Sequence, residues 1–192
     1  MSAARLWWVR HGPTHARTFI GWTDRPADLS DVAALARLAA FLPAGAPVVS
    51  SDLLRARATA DAIAAGRPRL PDDPALREMH FGAWENRLAD DLMAEDPATV
   101  TGFWDGAGDV RAPGGECWND LAARVGAAAD SLAASGGDVI VVAHMGAIMT
   151  QIGRALALPP RAAMAHRIDN LSVTRIDRAA GRWTAGPINH RP

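Results

Sequence analysis

Two histidines and two arginines stand at or just beyond the ends of three short apolar stretches in the sequence. Ligands of open α/β sheets bind beyond the carboxyl ends of the strands, so these side chains share one crevice if the strands are neighbours. Guanidinium groups match phosphate oxygens, a neutral imidazole can attack phosphorus, and a second imidazole can hydrogen-bond the oxygens. The set therefore predicts phosphoryl-transfer chemistry. Its members are Arg10, His11, Arg55 and His144.

The apolar stretches that end at these residues are typical of buried strands. Short continuous apolar runs bounded by turn residues favour strands that are covered on both faces. The three runs are 6–9, 47–51 and 139–142. A fourth segment, 171–176, alternates apolar and polar residues, and we expect 182–184 to pair with it across Gly181 as an edge hairpin.

Helices are predicted between these strands, because apolar residues recur there at three- and four-residue spacing. The predicted helices are 31–42 with Ser30 as N-cap, 52–65 with Ser51 as N-cap and Gly66 as the stop, 118–134, and 145–158 before Pro159-Pro160. From 68 to 115 the pattern weakens to short helical pieces near 90–93 and 98–104. Helices that alternate with apolar strands predict an α/β domain with a largely parallel sheet.

The composition disfavours several classes of binding partner and of reactive group. The 192 residues suit one domain, and a net charge of −1 with no basic tract disfavours nucleic acid and anionic membranes as partners. All 20 basic residues are Arg, so Lys is excluded as nucleophile or phosphate ligand, and Arg, His or backbone N–H groups must hold any anion. The single Cys117 excludes an intrachain disulfide and a cysteine zinc cluster.

No segment has the pattern of a leader or a membrane span. The first five residues lead directly into the apolar run 6–9, which is too short for a signal peptide. The longest stretch without Asp, Glu or Arg is 139–153, which contains His144 and falls short of the ~20 apolar residues that a span needs. We expect a cytoplasmic protein.

Five motifs, in order along the chain, resemble those of the histidine phosphatase superfamily, which includes the cofactor-dependent phosphoglycerate mutases. Together they extend the resemblance over about residues 5–176. The motifs are Arg10-His11-Gly12-Pro13-Thr14, the segment 50–60 around Arg55, the segment 76–85 around Glu78, Pro113-Gly114-Gly115-Glu116, and the segment 141–146 around His144.

The resemblance implies a fold and a set of roles. The fold is a single-domain three-layer α/β/α structure over 1–192, with a mostly parallel sheet, an antiparallel edge strand and a variable cover at about 86–112. His11 is then the nucleophile that carries a phosphohistidine, and Glu78 is the general acid. Arg10 and Arg55 clamp the phosphoryl oxygens and His144 completes the pocket, so that neither a metal nor a cofactor is required.

Several neighbouring residues leave alternatives open. Glu85 lies close enough in sequence to Glu78 to take the role of acid. Thr14 either hydrogen-bonds the phosphate or only closes its loop, and Trp22 lines either the substrate mouth or the core. The chain departs from the common family pattern at Pro13, at Arg17 and at Met145, where the family usually has a glycine. The guanidinium of Arg17 either tightens the binding of the anion or points outward.

The region 86–112 separates the candidate functions. The mutases carry a longer, basic insert between the acid and the second histidine. In this chain the region 86–112 contains six acidic residues and two basic ones, Arg87 and Arg111. We therefore expect a phosphatase of the small branch, acting on the phosphate monoester of a small molecule. The alternatives are a phosphoglycerate mutase and a non-catalytic domain that binds phosphate esters. No pattern in the sequence indicates the identity of the substrate or the oligomeric state.

Overall fold

One mixed sheet runs through the computed structural model, which describes residues 3–106 and 108–192. Its strands in the described residues are β1 (Ala4–Arg10), β2 (Val48–Ser50), β3 (Gly137–Ala143), β4 (Val173–Ala179) and β5 (Arg182–Ala185). They lie in the order β2-β3-β1-β4-β5, with β2, β3 and β1 parallel. β4 is antiparallel to β1 and forms the predicted hairpin with β5. The α/β class, the parallel part of the sheet and its antiparallel edge are confirmed.

Helices connect the strands. They are α1 (Val32–Phe41), α2 (Leu54–Ala64), α3 (Ala89–Glu95), α4 (Pro97–Asp105), α5 (Trp118–Ala133), α6 (Met145–Leu156) and α7 (Pro160–Met164), with single 3-10 turns at Pro74–Leu76 and Gly82–Trp84. All four predicted long helices are present, and the two short pieces of the weak region are α3 and α4. Within the described residues, no helix is both long and apolar enough to cross a bilayer.

Helices cover both faces of the sheet and so form three layers. β-strand side chains alternate between the two faces, and each face buries its own apolar cluster. On one face, Leu6, Trp8 and Val141 pack with residues of α5 and α6. On the other face, Val9 and Val142 pack with residues of α1 and α2. The strands that lead into the histidines are thus held from both sides.

The register of the sheet brings the histidines together. Arg10 on β1 pairs with Ala143 on β3, so His11 and His144 each follow the last paired residue of adjacent parallel strands. The His11 N–H continues this ladder by donating to the Ala143 carbonyl at 3.1 Å. The start of β4 also lies here, because Leu171 N–H donates to the Arg10 carbonyl at 3.0 Å. Three strand ends therefore meet at one edge.

The helix caps differ from the sequence prediction at two places. Asp31, not Ser30, caps α1 by accepting a hydrogen bond from the Ala34 N–H. Ser51 does not cap α2, which begins at Leu54 without a side-chain cap. At the other end of α2, Ala65 adopts the left-handed conformation, and Gly66 follows with a φ of +79°. Pro160 does not merely follow α6 but begins α7, where a proline at the first helical position leaves no N–H unsatisfied.

The left-handed Ala65 predicts a stabilising substitution. Its φ is +47°, a conformation that costs a non-glycine residue about 1 kcal/mol. Ala65→Gly should therefore raise the free energy of unfolding by about 1 kcal/mol, measured by urea titration. Ala123→Gly, at an exposed position inside α5, is the matched control and should lower it by about the same amount. Equal signs for the two changes would contradict the prediction.

Candidate active site

His11 is buried and held in a single tautomer. Its Nδ1 lies 2.7 Å from the backbone carbonyl of Gly12. A carbonyl oxygen only accepts, so Nδ1 carries the proton and Nε2 keeps its lone pair. Nε2 accepts in turn from the Nε–H of Arg55 at 3.3 Å. The lone pair of Nε2 is thus directed towards the arginine.

Arg55 joins the two histidines. It lies in the first turn of α2, is 1% exposed, and places its Nε 3.2 Å from Nδ1 of His144 as well as next to Nε2 of His11. Its terminal nitrogens turn the other way and donate to the carbonyls of Gly21 at 2.6 Å and Thr23 at 3.0 Å. The guanidinium therefore presents its Nε–H to the histidines, while the loop 20–23 holds its terminal nitrogens.

His144 and Arg10 each carry a buried nitrogen that has no partner among the described residues. His144 precedes α6 and accepts from Arg55 at Nδ1, so its proton is on Nε2, and this N–H is unsatisfied. Arg10 donates to the Ile168 carbonyl at 2.6 Å through one terminal nitrogen and leaves Nε unsatisfied. Buried donors are normally hydrogen-bonded. An anion bound beside His11 would supply acceptors of the kind that these two groups lack.

Both histidines are neutral because of where they lie. Burial, reinforced by the positive charges of Arg55 and Arg10, lowers the pKa of His11 to about 3, although its hydrogen bond with Gly12 acts in the opposite direction. Burial and the charge of Arg55 also place the pKa of His144 well below its ordinary value. The ring centroids are 5.0 Å apart. Since neither imidazole is charged, the pair faces two cations without mutual repulsion.

Glu78 lies beside the start of α6. Its carboxylate accepts from the N–H of Met79 at 3.0 Å and from the N–H of Gly146 at 3.1 Å. It is close enough to Arg10 and Arg55 to act on their pKa values, which burial lowers and the charge of Glu78 raises. A Cβ atom at Gly146 would lie 2.5 Å from Oε1 of Glu78, so a side chain at this position would displace the carboxylate from its place. The predicted acid is therefore at the edge of the cluster.

Glu85 has a different environment, which excludes it as the proton donor. Its two oxygens accept from the backbone N–H groups of Gly21, Trp22, Thr23 and Phe81 and from the Thr23 hydroxyl. Burial alone raises the pKa of Glu85, but these hydrogen bonds outweigh it and the net pKa is lowered. The carboxylate stays ionised and ties the loop 20–23 to the 3-10 turn at Gly82–Trp84. That same loop supplies the carbonyls that hold Arg55.

The other predicted contacts lie around the cluster. Trp22 is 37% exposed, donates from its indole to the Glu78 carbonyl at 2.8 Å, and stacks under Arg77 at 4.7 Å. It therefore lies at the rim and not in the core. Thr14 is half-buried and Arg17 is exposed on the loop after β1. Among the described residues, neither of these two side chains hydrogen-bonds the histidines or arginines of the cluster.

Two residues that position the cluster were missed by sequence reasoning. Asn170 donates to the His11 carbonyl at 2.8 Å, and Thr59 accepts from the Gly12 N–H at 2.9 Å while donating to the Arg55 carbonyl. Thr59 stands one helical turn after Arg55, so its spacing was a usable signal. Asn170 could not have been found without knowing that β4 is antiparallel to β1.

This arrangement suits attack on an anionic centre. It combines a neutral nucleophilic nitrogen, a second neutral imidazole with a free N–H, two guanidinium groups and a carboxyl group, all at one edge of the sheet. In the part of the chain that the structure describes, no group of three His, Cys, Asp or Glu side chains is placed to share a metal ion.

The sequence matches one family along almost its whole length. The model of the histidine phosphatase superfamily (branch 1) covers residues 6–190. The chain belongs to the histidine phosphatase superfamily. Superfamily relatives include the probable phosphoglycerate mutase GpmB of Serratia proteamaculans, which is 33% identical over 202 residues that cover 97% of this chain and 94% of the relative.

Solved structures of similar fold include proteins named as phosphatases. Bacillus stearothermophilus YhfR superposes with a TM-score of 0.88 at 26% identity and covers 97% of both chains. A putative α-ribazole-5′-P phosphatase from Escherichia coli gives 0.85 at 29% identity, with 99% of this chain and 98% of that chain covered. The mycobacterial glucosyl-3-phosphoglycerate phosphatase gives 0.82 at 27% identity, with 98% and 100% covered. The superfamily predicted from the motifs and its phosphoglycerate mutase-like fold are confirmed.

The neutral histidines predict that acid weakens the fold. His11 and His144 stay uncharged when folded but take up protons near pH 6.5 once unfolded, so the unfolded state binds more protons below that pH. Lowering the pH from about 7.5 to about 5.5 should therefore reduce the free energy of unfolding by about 1.4 kcal/mol for each of the two histidines. Urea titrations at both pH values measure the loss.

A variant isolates one of these two contributions. His11→Gln removes one titrating group and should reduce the pH-dependent loss by about half, since the two histidines contribute similarly. His190→Gln changes an exposed histidine and should leave the loss as it is in the wild type. A full wild-type loss in His11→Gln would show that His11 is protonated in the folded state.

The hydrogen bonds of Glu85 predict a strong effect of a nearly isosteric change. Glu85→Gln places an NH2 donor against backbone N–H groups, so at least two of them lose their acceptor. The free energy of unfolding should fall by about 2 kcal/mol, because hydrogen bonds to charged groups are lost in a partly buried place. Thermal or urea unfolding at neutral pH measures it. Glu95→Gln, which affects only an exposed pair with Arg87, should barely change stability.

Proposed function

We propose that this protein is a metal-independent phosphatase that hydrolyses phosphate monoesters of small molecules through a phosphohistidine on His11. The observation that carries the proposal is the orientation of His11, whose unprotonated Nε2 faces Arg55 and His144 in a cluster with unsatisfied N–H donors. A buried nitrogen with its lone pair in a cationic pocket is suited to attack phosphorus. The membership in the superfamily supports the same chemistry.

The reaction runs in two balanced steps. In the first, Nε2 of His11 bonds to phosphorus, the ester P–O bond breaks, and Glu78 in its acid form gives its proton to the departing alcohol oxygen. In the second, water attacks phosphorus, Glu78 as carboxylate takes the water proton, the P–N bond breaks, and inorganic phosphate leaves. Glu78 is again protonated and His11 is again neutral at the end of the cycle.

The cluster around His11 would stabilise the charge that develops on the phosphoryl oxygens. The Nε–H of Arg10 and the Nε2–H of His144 lack partners among the described residues. The Nε–H of Arg55 donates to both histidines, and it would turn to a phosphoryl oxygen once Nε2 of His11 bonds to phosphorus. Donors that are already oriented need no rearrangement during the reaction, which makes them effective. Thr14, Arg17 and Trp22 lie further out, and we propose that they contact the substrate as it enters.

The residues of the cover favour hydrolysis over mutase activity. A mutase must grip the carboxylate of phosphoglycerate with a cation and keep water from the phosphohistidine. Arg87 and Arg111, the two basic residues of 86–112, are instead ion-paired with Glu95 and Asp120. The mutase remains the second candidate, because the relatives at 32–33% identity carry the name probable phosphoglycerate mutase.

Phosphate release in the presence of EDTA tests the proposal. Wild type should release phosphate from monoesters such as p-nitrophenyl phosphate, and His11→Ala should reduce the rate to the background of the buffer, because no nitrogen attacks phosphorus. A rapid quench with radiolabelled ester should trap label that is stable to base and labile to acid. His190→Ala is the control and should keep wild-type turnover. Full turnover by His11→Ala would overturn the mechanism.

Two esters whose leaving groups differ in basicity test whether Glu78 is the proton donor. Glu78→Gln should slow hydrolysis of an alkyl phosphate by about 10²–10⁴-fold, because an alkoxide needs a proton in order to leave. The same variant should affect p-nitrophenyl phosphate much less, since nitrophenolate leaves without protonation. Equal losses on the two esters would contradict the assignment of Glu78 as acid.

The two rival functions predict different products. A mutase would interconvert 2- and 3-phosphoglycerate with little release of phosphate, and a non-catalytic binding domain would bind esters and turn over none. Either result, obtained with active wild-type preparations by phosphorus NMR, would replace the hydrolase proposal.

A further inference from the structure

An apolar pocket lies next to Glu78, on the side of the site towards α4, α6 and α7. The side chains that give it its character are Met79, Phe81, Trp104, Met145, Met149 and Met164. Its cavity volume is about 70 Å³. A single water needs about 10–15 Å³ of such space, so the pocket can hold a chain of roughly five water-sized groups.

The pocket adjoins the proposed acid of the reaction. Glu78 and Gly146 both line it, and these two residues are hydrogen-bonded to each other through the Glu78 carboxylate. In the proposed mechanism the alcohol oxygen takes its proton from Glu78, so the rest of the alcohol would extend past this carboxylate. The pocket is the space that lies there.

The chemistry of the pocket walls selects against polar alcohols. Of the residues that line it, Glu78 alone is ionisable, and no arginine or histidine is among them. A carboxylate or a row of hydroxyl groups placed there would lose its hydration without gaining partners. An apolar group gains by leaving water in proportion to the area that it buries.

The four methionines of the pocket widen the range of shapes that it accepts. A methionine side chain is unbranched and flexible, and it fills irregular gaps against different ligands. Met145 and Trp104 are each 37% exposed, so they form the open rim of the pocket, while Met79 and Met149 are buried at its base. The walls are thus apolar and adaptable at once.

From this geometry, and resting on the proposed phosphatase function, we infer that the substrates are phosphate monoesters of apolar alcohols, with a short alkyl or aryl group bound between Met145, Trp104 and Met149. The phosphoryl group would bind at His11 and the apolar group in the pocket beside Glu78. The phosphates of polyols and of hydroxy acids are then poor substrates.

Turnover of primary alkyl phosphates tests the inference, because their leaving groups are almost equally basic and differ mainly in length. The value of kcat/KM should rise about tenfold from ethyl to butyl phosphate, at a factor of about three to four for each buried methylene. Butyl phosphate should also exceed glycerol 3-phosphate and 3-phosphoglycerate. Hydrolysis of all these esters without a rise along the series, or with the polar esters preferred, would overturn the inference and leave the phosphatase function standing.

A matched pair of variants locates the effect. Met145→Gln introduces an amide of similar size at the rim and should lower the ratio of kcat/KM for butyl over ethyl phosphate at least threefold. Met93→Gln makes the same change at an exposed methionine of α3 that does not line the pocket, and should leave the ratio at its wild-type value. Equal ratios in Met145→Gln and wild type would place the alkyl chain elsewhere.

Binding of alkylphosphonates separates this inference from the hydrolase mechanism, since a phosphonate has no ester bond to break. In calorimetric titrations, butylphosphonate should bind wild type about tenfold more tightly than ethylphosphonate. Tighter binding of the longer phosphonate without hydrolysis of any ester would support the pocket and overturn the phosphatase. Equal affinities for the two phosphonates would overturn the pocket.

Discussion

The buried guanidinium of Arg55 is the constraint on which the rest of the site depends. A cation that is 1% exposed must have its donors satisfied, and the protein does so with carbonyls of the loop 20–23 on one side and two imidazole nitrogens on the other. Four parts of the chain, namely β1, β3, α2 and this loop, are thereby fixed to one group. The neutrality of both histidines follows from the same burial and from the same positive charge.

Two carboxylates close to each other in the sequence are assigned to different tasks by their surroundings. Glu85 is surrounded by N–H donors, which keep it ionised and make it a structural anion for the loop. Within the described part of the chain, the Glu78 carboxylate accepts two backbone hydrogen bonds, and it faces an apolar pocket. The first carboxylate holds Arg55 in place indirectly, and the second is the proton donor of the mechanism that we propose.

The sequence was most informative where chemistry and secondary structure coincide. The apolar runs before His11 and His144 identified adjacent parallel strands, because few other patterns produce such short, uncharged segments. The motifs around Arg55 and Glu78 identified the superfamily. The caps of α1 and α2 were less predictable, because Ser30 and Asp31 are both good caps and only the geometry of the loop selects between them. The contribution of Asn170 depends on the antiparallel pairing of β4 with β1, a long-range contact that no local pattern indicates.

Neighbouring positions at the start of α6 differ in how freely they can diverge. At Gly146 a Cβ would overlap the Glu78 carboxylate, so a substitution there would displace the carboxylate. Met145, one residue earlier, projects a side chain that is partly open to solvent and lines the apolar pocket. A substitution at Met145 would therefore reshape the apolar pocket and leave the glutamate in place, whereas one at Gly146 would disturb the glutamate directly, so adjacent positions of one helix turn tolerate change very differently.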